Sequence, residues 1–190
     1  MIITYIIVAL AVLFFVAVAL QPSSFRVSRS TRIAAPSEIV FEQVNDLHKW
    51  QTWSPWAEID PNAKIVYDGP LAGVGAAFAW SGNMQVGEGR MAIVESRANE
   101  VVRFKIDFAK PMKGTNIAGF TFKSDGDQTV VNWTMHGKKN FMARAIGLVM
   151  SCEKMIGGNF EKGLASMKSL AEAAAKTRPA SPNLAYSESR

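Results

Sequence analysis

The sequence is poor in the side chains that metal and redox chemistry need. Cys152 is its one cysteine, and His48 and His136 are its two histidines. A lone cysteine excludes an intrachain disulfide and any thiolate cluster, and two separated histidines do not make a metal site. No metal and no cofactor is expected. Nucleophilic catalysis has equally little support. There is no G-x-S-x-G elbow, and Cys152 falls on the apolar face of a helical pattern with no basic neighbour to activate it. The glycine pattern at Gly73-Val74-Gly75 lacks the third glycine and the strand–helix context of a dinucleotide fingerprint. The formal net charge of +5 is modest. Its Lys and Arg residues are interleaved with acids rather than gathered into a stripe, which argues against nucleic acid as a partner. No internal repeat is present.

One stretch lacks charge altogether. Residues 1–20, MIITYIIVALAVLFFVAVAL, contain no Asp, Glu, Lys, Arg or His. As a helix they would span about 30 Å, enough to cross the hydrocarbon core of a bilayer. Gln21-Pro22-Ser23-Ser24 then ends the run. A cleaved signal peptide is the rival reading, since Ala17-Val18-Ala19 fits a small-x-small cleavage site. Against cleavage, no Lys or Arg precedes the run, and it is longer than the usual apolar core of a signal. A retained single-pass anchor is therefore favoured. Arg26, Arg29 and Arg32 come soon after it, and by the positive-inside rule they keep the rest of the chain in the cytoplasm. The same arginines also fall in a strand pattern.

Without that segment the composition is that of an ordinary soluble protein, with room for one domain of roughly 150 residues. Phe25, Val27 and Arg29 alternate with Arg26, Ser28 and Ser30, the signature of a half-exposed strand over 25–33. Pro36-Ser37-Glu38 opens a helix whose apolar face is Ile39, Val40, Phe41 and Val44, ending near Asn45-Asp46. His48–Trp56 carries Trp50, Trp53 and Trp56 at intervals of three. Pro55 divides it into a short helical turn and a loop. Strands are expected over 63–67, 76–80, 87–96, 101–108, 117–123 and 129–136, separated by turn residues such as Asp68-Gly69-Pro70 and Ser124-Asp125-Gly126-Asp127. Val102, Phe104, Ile106 and Phe108, with Phe120, Phe122, Val131, Trp133 and Met135, form one apolar face that a partner layer must cover. The partner is a long helix over 140–176, read from Phe141, Ala145, Leu148, Cys152, Met155, Phe160, Leu164 and Met167. Residues 177–190, with Pro179, Pro182 and several serines, read as a disordered tail.

This order of elements, strand, two helices, six strands and a long last helix, resembles the helix-grip fold of the SRPBCC superfamily (START-like and Bet v 1-like proteins) over residues 25–172. VNDLHKWQTWSPW at 44–56, IVYDGP at 65–70, GVGAAFAW at 73–80 and GNMQVGEGRMAIVES at 82–96 are similar to its bacterial polyketide cyclase/dehydrase-type branch. The resemblance implies an α+β fold in which a curved antiparallel sheet wraps around a long C-terminal helix. It also implies a cavity between the two that holds an apolar small molecule or lipid, with catalysis in some members only.

Within that frame the ligand-binding candidates are Trp53, Trp56, Trp80, Asn83, Met91, Phe104, Phe120, Trp133, Met155 and Asn159. The aromatic residues among them equally suit an ordinary core. Glu88, between Gly87 and Gly89, is the candidate acid or base for an enzyme of the cyclase or dehydrase kind, because a carboxylate facing an apolar cavity has a raised pKa. The bland reading of Glu88 is a solvent-facing partner of Arg90 or another neighbour, with Gly87 and Gly89 permitting a bulge. Gly157-Gly158 interrupts the last helix, and a pair of helical glycines needs a reason: a kink that opens the cavity, or a close approach to the sheet.

Overall fold

The strand alternation becomes a single seven-stranded antiparallel sheet in the order β1-β7-β6-β5-β4-β3-β2. The computed structural model describes residues 1–178. Its strands are β1 (Ser24–Ile33), β2 (Lys64–Asp68), β3 (Ala77–Ser81), β4 (Glu88–Arg97), β5 (Val101–Lys110), β6 (Gly114–Asp125) and β7 (Gln128–Lys138). The six later strands form a meander. β1 closes it by pairing with β7 from Ser24↔Lys138 to Ile33↔Thr129. Burial alternates as the sequence implies: Val131, Trp133 and Met135 are buried while Asn132 and Thr134 are partly exposed and His136 exposed. A register shift between Glu88 and Gly89 in the β4–β5 pairing is the irregularity expected of the glycines there.

Helices cover the apolar face. α2 (Ser37–Asn45) buries Ile39, Val40, Phe41 and Val44. α3 (Leu47–Trp53) is capped by Asp46, whose carboxylate accepts from the His48 N–H at 2.8 Å. The His48 ring stacks on Tyr67 with centroids 3.8 Å apart. Beyond Ser54 the chain turns into a second short helix, α4 (Pro55–Ile59), where a loop was expected. Pro55 takes the first helical position, where its missing N–H costs nothing.

The last segment is not one helix. α5 (Phe141–Ile146) is separated by residues 147–151 from α6 (Cys152–Thr177). Each helix has its own N-cap. The Asn140 side chain starts α5 by accepting from the Ala143 N–H at 2.8 Å, and at the break the Ser151 hydroxyl starts α6 by accepting from the Lys154 N–H at 3.4 Å. Only α6 packs on the sheet, through Phe160, Leu164, Met167 and Ala171. Leu148 and Met155, expected on the packed face, are exposed. The tail expected at 177–190 lies, from residue 179 on, outside the described residues.

Arg29 explains one of the paired glycines. It stands on the inward face of β1 and reaches α6, where Nη2 donates to Glu153 at 2.6 Å and Nε donates to Glu161 at 2.5 Å. Residues 153, 157 and 161 fall on one stripe of the helix. A side chain at Gly157 would collide with the guanidinium. Close approach, rather than a kink, is thus what this glycine permits. The two carboxylates, Glu161 first, raise the Arg29 pKa further, so the guanidinium stays charged at any working pH. Gly158 faces open space, with nothing within 4 Å of a built Cβ.

The helix preceding the domain, α1 (Ile2–Leu20), is long and apolar enough to cross a membrane and is almost wholly exposed, with Val18 its one buried residue. An anchor and a signal sequence share these properties.

The two glycines predict opposite outcomes. Gly157→Val should lower the melting temperature by roughly 5 °C through overpacking against Arg29. Gly158→Ala should raise stability by up to about 1 kcal/mol, because it adds only helix propensity. Thermal melts of the two variants check both signs.

Candidate functional site: a cavity between sheet and last helix

Sheet and helices enclose a cavity of about 1290 Å³ at the end of the sheet where β1 begins and β7 ends. That exceeds the ~300–1,000 Å³ usual for small-molecule pockets. Its inner wall comes from β3–β7 and α3–α4: Trp50, Trp56, Phe78, Trp80, Met91, Ile106, Ala118, Trp133 and Met135. Met155, Ile156 and Asn159 of α6 form the opposite side.

The hollow has a cause in side-chain size. On β6 and β7, Phe120 faces Trp133 across the strands, and both are fully buried. One step nearer the open end Ala118 faces Met135, and the next pair is Asn116 and Gly137. Volume falls away toward that end, and the space is not refilled.

Trp133 forms the boundary. Its ring lies flat on Phe160 of α6, with centroids 3.8 Å apart and planes 7° from parallel. Phe120 stacks against it at 4.7 Å, and Trp50, Trp53 and Trp56 meet it edge-on. The buried indole N–H of Trp133 has no hydrogen-bond partner. Trp80 is the other fixed wall. Its indole N–H donates to the Val86 carbonyl at 3.2 Å, and its ring lies over Gly89, where a Cβ would come within 2.5 Å of it.

Ionisable groups are confined to the rim. Arg26, Lys113, His136 and Lys138 are exposed, and Lys139 is partly so. Asp60 is the one carboxylate among the lining residues. Its oxygens accept from the backbone N–H groups of Asn83 at 2.6 Å and Asn62 at 3.2 Å. Asp107, on the outward face of β5, is held below the usual carboxylate range by the Thr115 hydroxyl and then by Lys105. No group of three or more potential metal ligands occurs among the described residues.

Residues 24–172 match the family described as polyketide cyclase / dehydrase and lipid transport. The chain belongs to that family. Solved structures with the same fold include a protein from Chromobacterium violaceum, 15% identical, covering 80% of this chain and 98% of its own, at a TM-score of 0.56. The major latex-like protein 151 of Panax ginseng is 15% identical, covering 81% of this chain and 99% of its own, at a TM-score of 0.52. The di-domain ARO/CYC StfQ from the steffimycin biosynthetic pathway is 11% identical, covering 80% of this chain and 52% of its own, at 0.59. At these identities the likeness establishes the helix-grip fold. No curated protein matches the chain.

Against this family fold, the candidates separate by depth. Trp56, Trp80, Met91, Trp133, Met155 and Asn159 line the cavity. Trp53, Phe104 and Phe120 do not; they are fully buried in the packed half of the core, and the Trp53 indole N–H donates to the Gln43 carbonyl at 2.9 Å. Asn83 shapes the rim turn instead, its side-chain oxygen accepting from the Gln85 and Val86 N–H groups at 2.9 and 3.2 Å. Glu88 lies outside the cavity wall. Its Oε1 accepts from the Lys110 ammonium at 3.0 Å and from the Ser81 hydroxyl at 3.3 Å. Its partner is thus Lys110 rather than Arg90, which pairs with Asp68 at 2.9 Å. Trp50, Phe78, Ile106 and Met135 join the wall without being among the candidates, though strand parity puts Ile106 and Met135 on the inward face.

Gly89→Val should drive the Trp80 indole off the wall and cost about 1–3 kcal/mol. The check is a shift in tryptophan emission together with a lowered urea midpoint. Glu88→Gln, which removes only a partly exposed ion pair, should change stability by no more than about 1 kcal/mol.

Proposed function

We propose that this chain is a membrane-tethered binding module that takes up an apolar small molecule or lipid in the cavity between sheet and α6. The observation that carries the reading is the distribution of chemistry around the cavity. The inner wall is mainly aromatic and aliphatic, with Ser54, Asn116 and Asn159 as its uncharged polar members, and the ionisable side chains stand at the rim. Such a wall contributes transfer free energy of about 25 cal/mol for each Å² of apolar ligand surface it takes from water. It offers no buried acid or base for proton transfer, because Asp60 is committed to two backbone N–H groups and Glu88 to Lys110. The family description, which includes lipid transport, fits the same reading. An enzyme of the cyclase or dehydrase kind would need an acid or base on the inner wall, and the polar groups there, Ser54, Asn116, Asn159 and the Trp133 indole N–H, do not titrate near neutral pH.

The tether is α1, and the domain stands on the cytoplasmic side. Arg29 and Arg32 are engaged in ion pairs within the domain. Arg26, Lys138, Lys139 and Arg144 lie at the same end, so the positive charge beside the anchor does not rest on β1 alone.

Titration of the reconstituted chain with a long-chain fatty acid or a polycyclic aromatic ligand should quench or shift tryptophan emission saturably. Ala118→Leu, which fills the wall opposite Met135, should weaken that binding at least tenfold and leave the fold intact. Unchanged binding in that variant would place the ligand elsewhere. For sidedness, a C-terminal GFP fusion should fluoresce and a C-terminal alkaline phosphatase fusion should be inactive; the reverse pattern overturns the cytoplasmic placement.

A further inference from the structure

The segment between β7 and α6 exposes apolar side chains that nothing in the domain covers. Phe141, Met142, Ile146, Val149 and Met150 are 46%, 56%, 41%, 89% and 52% exposed. They occupy α5 and the turn after it, a stretch of ten residues that reads FMARAIGLVM. Such a run on a soluble surface marks a contact site.

Its position says what it contacts. Phe141 stacks on Phe15 of α1, with ring centroids 5.9 Å apart and planes 30° from parallel. Phe15 lies five residues before Leu20, the last residue of α1, so it sits about 8 Å inward from that end of the apolar helix. The turn stays at the same level. A hollow of about 260 Å³ is lined on one side by Gln21 and Pro22, which come directly after α1, and on the other by Gly147, Met150 and Ser151. With α1 spanning a bilayer, this segment is below the headgroups, at the 5–10 Å depth where interfacial helices lie. Charge agrees with the placement. Lys138, Lys139, Arg144 and Lys154 flank or interrupt the run, which holds no acidic residue, and long basic side chains at such a depth extend to the lipid phosphates.

We propose that Phe141–Met150 is a second membrane contact, an interfacial element that inserts into one leaflet of an anionic bilayer beside α1. The element also borders the cavity, since Asn140 and Ala143 line it next to Met155. The cavity therefore opens against the leaflet, and its cargo is an acyl lipid that enters from the bilayer rather than a solute that enters from water. This rests on the reading of α1 as a retained anchor.

The test uses the full chain in nanodiscs containing phosphatidylglycerol. An environment-sensitive NBD fluorophore is placed at Val149→Cys or, as a control at the far end of the sheet, at Asp127→Cys, each in a Cys152→Ser background. Lipids carrying a nitroxide near the top of the acyl chain should quench the fluorophore at 149 at least threefold more than at 127, with a blue-shifted emission. Val149→Glu combined with Met150→Glu should abolish transfer of a fluorescent phospholipid between vesicles yet leave binding of a short-chain fatty acid from solution unchanged. If alkaline carbonate leaves the protein in the membrane but the two fluorophores are quenched equally, the interfacial element is overturned and the anchor stands. If carbonate releases the protein, the anchor reading fails first and the element with it. Self-quenching between copies, without quenching by lipid, would put a second copy of the chain on this face and overturn the bilayer as its occupant.

Discussion

The face-to-face contact of Phe160 with Trp133 sets the distance between the last helix and the sheet, and the rest of the architecture depends on that distance. Two large flat rings in parallel contact at 3.8 Å hold α6 off the sheet by the thickness of aromatic side chains. Toward the β6–β7 turn the gap is filled by Phe104, Phe120, Phe122 and the helices laid over them. Toward the other end the strands carry Ala118, Asn116 and Gly137, too small to reach across. One stack thus separates a solid core from a hollow, and Trp133 belongs to both. Arg29 provides the second fixed point, holding α6 to β1 through Glu153 and Glu161 beside a glycine that lets the guanidinium lie against the helix.

That division explains which parts of the site were legible in the sequence. Alternation along β5 puts Phe104, Ile106 and Phe108 on one face, and the structure keeps them there. Ile106 and Phe108 line the cavity while Phe104 is wholly enclosed. Period two reports the face and is blind to depth along the strand, which depends on what a helix distant in sequence covers. Spacing along the short helices is as blind, since it does not separate Trp53 from Trp56, only three residues apart. Glu88 is ambiguous between the cavity and a solvent-facing ion pair because the bulge at Glu88/Gly89 breaks the parity from which its direction would be read, and it takes the ion pair, with Lys110. Fold class and element order were recoverable because they arise from local patterns summed over many residues.

The break in the last helix teaches a related point. Phe141, Ala145, Leu148, Cys152 and Met155 recur at helical spacing, and spacing alone joins them to Phe160, Leu164 and Met167 in one helix. Gly147, the C-cap of α5, and Ser151, the N-cap of α6, carry the opposing signal. The apolar residues of the first part are not wasted core. Phe141 and Leu148 stand exposed on the domain, and Phe141 finds a partner in α1. Hydrophobic periodicity shows that a face wants to be buried without naming the surface that buries it.

The position of the hollow then acquires a meaning that its walls alone do not carry. An antiparallel sheet gripping a helix has two ends, and small residues at either would open a cavity. Here they lie at the end where β1 starts, four residues after the apolar helix, and where β7 hands over to α5. A cavity at the opposite end, by the β4–β5 and β6–β7 turns, would face water and suit a dissolved ligand. On the proposed reading of α1 as an anchor, placing the cavity beside it shortens the path between an acyl chain in a bilayer and an aromatic wall to the width of the rim. On that same reading the basic residues of the rim would complement lipid phosphates, while the wall behind them would complement the acyl chains the phosphates are attached to.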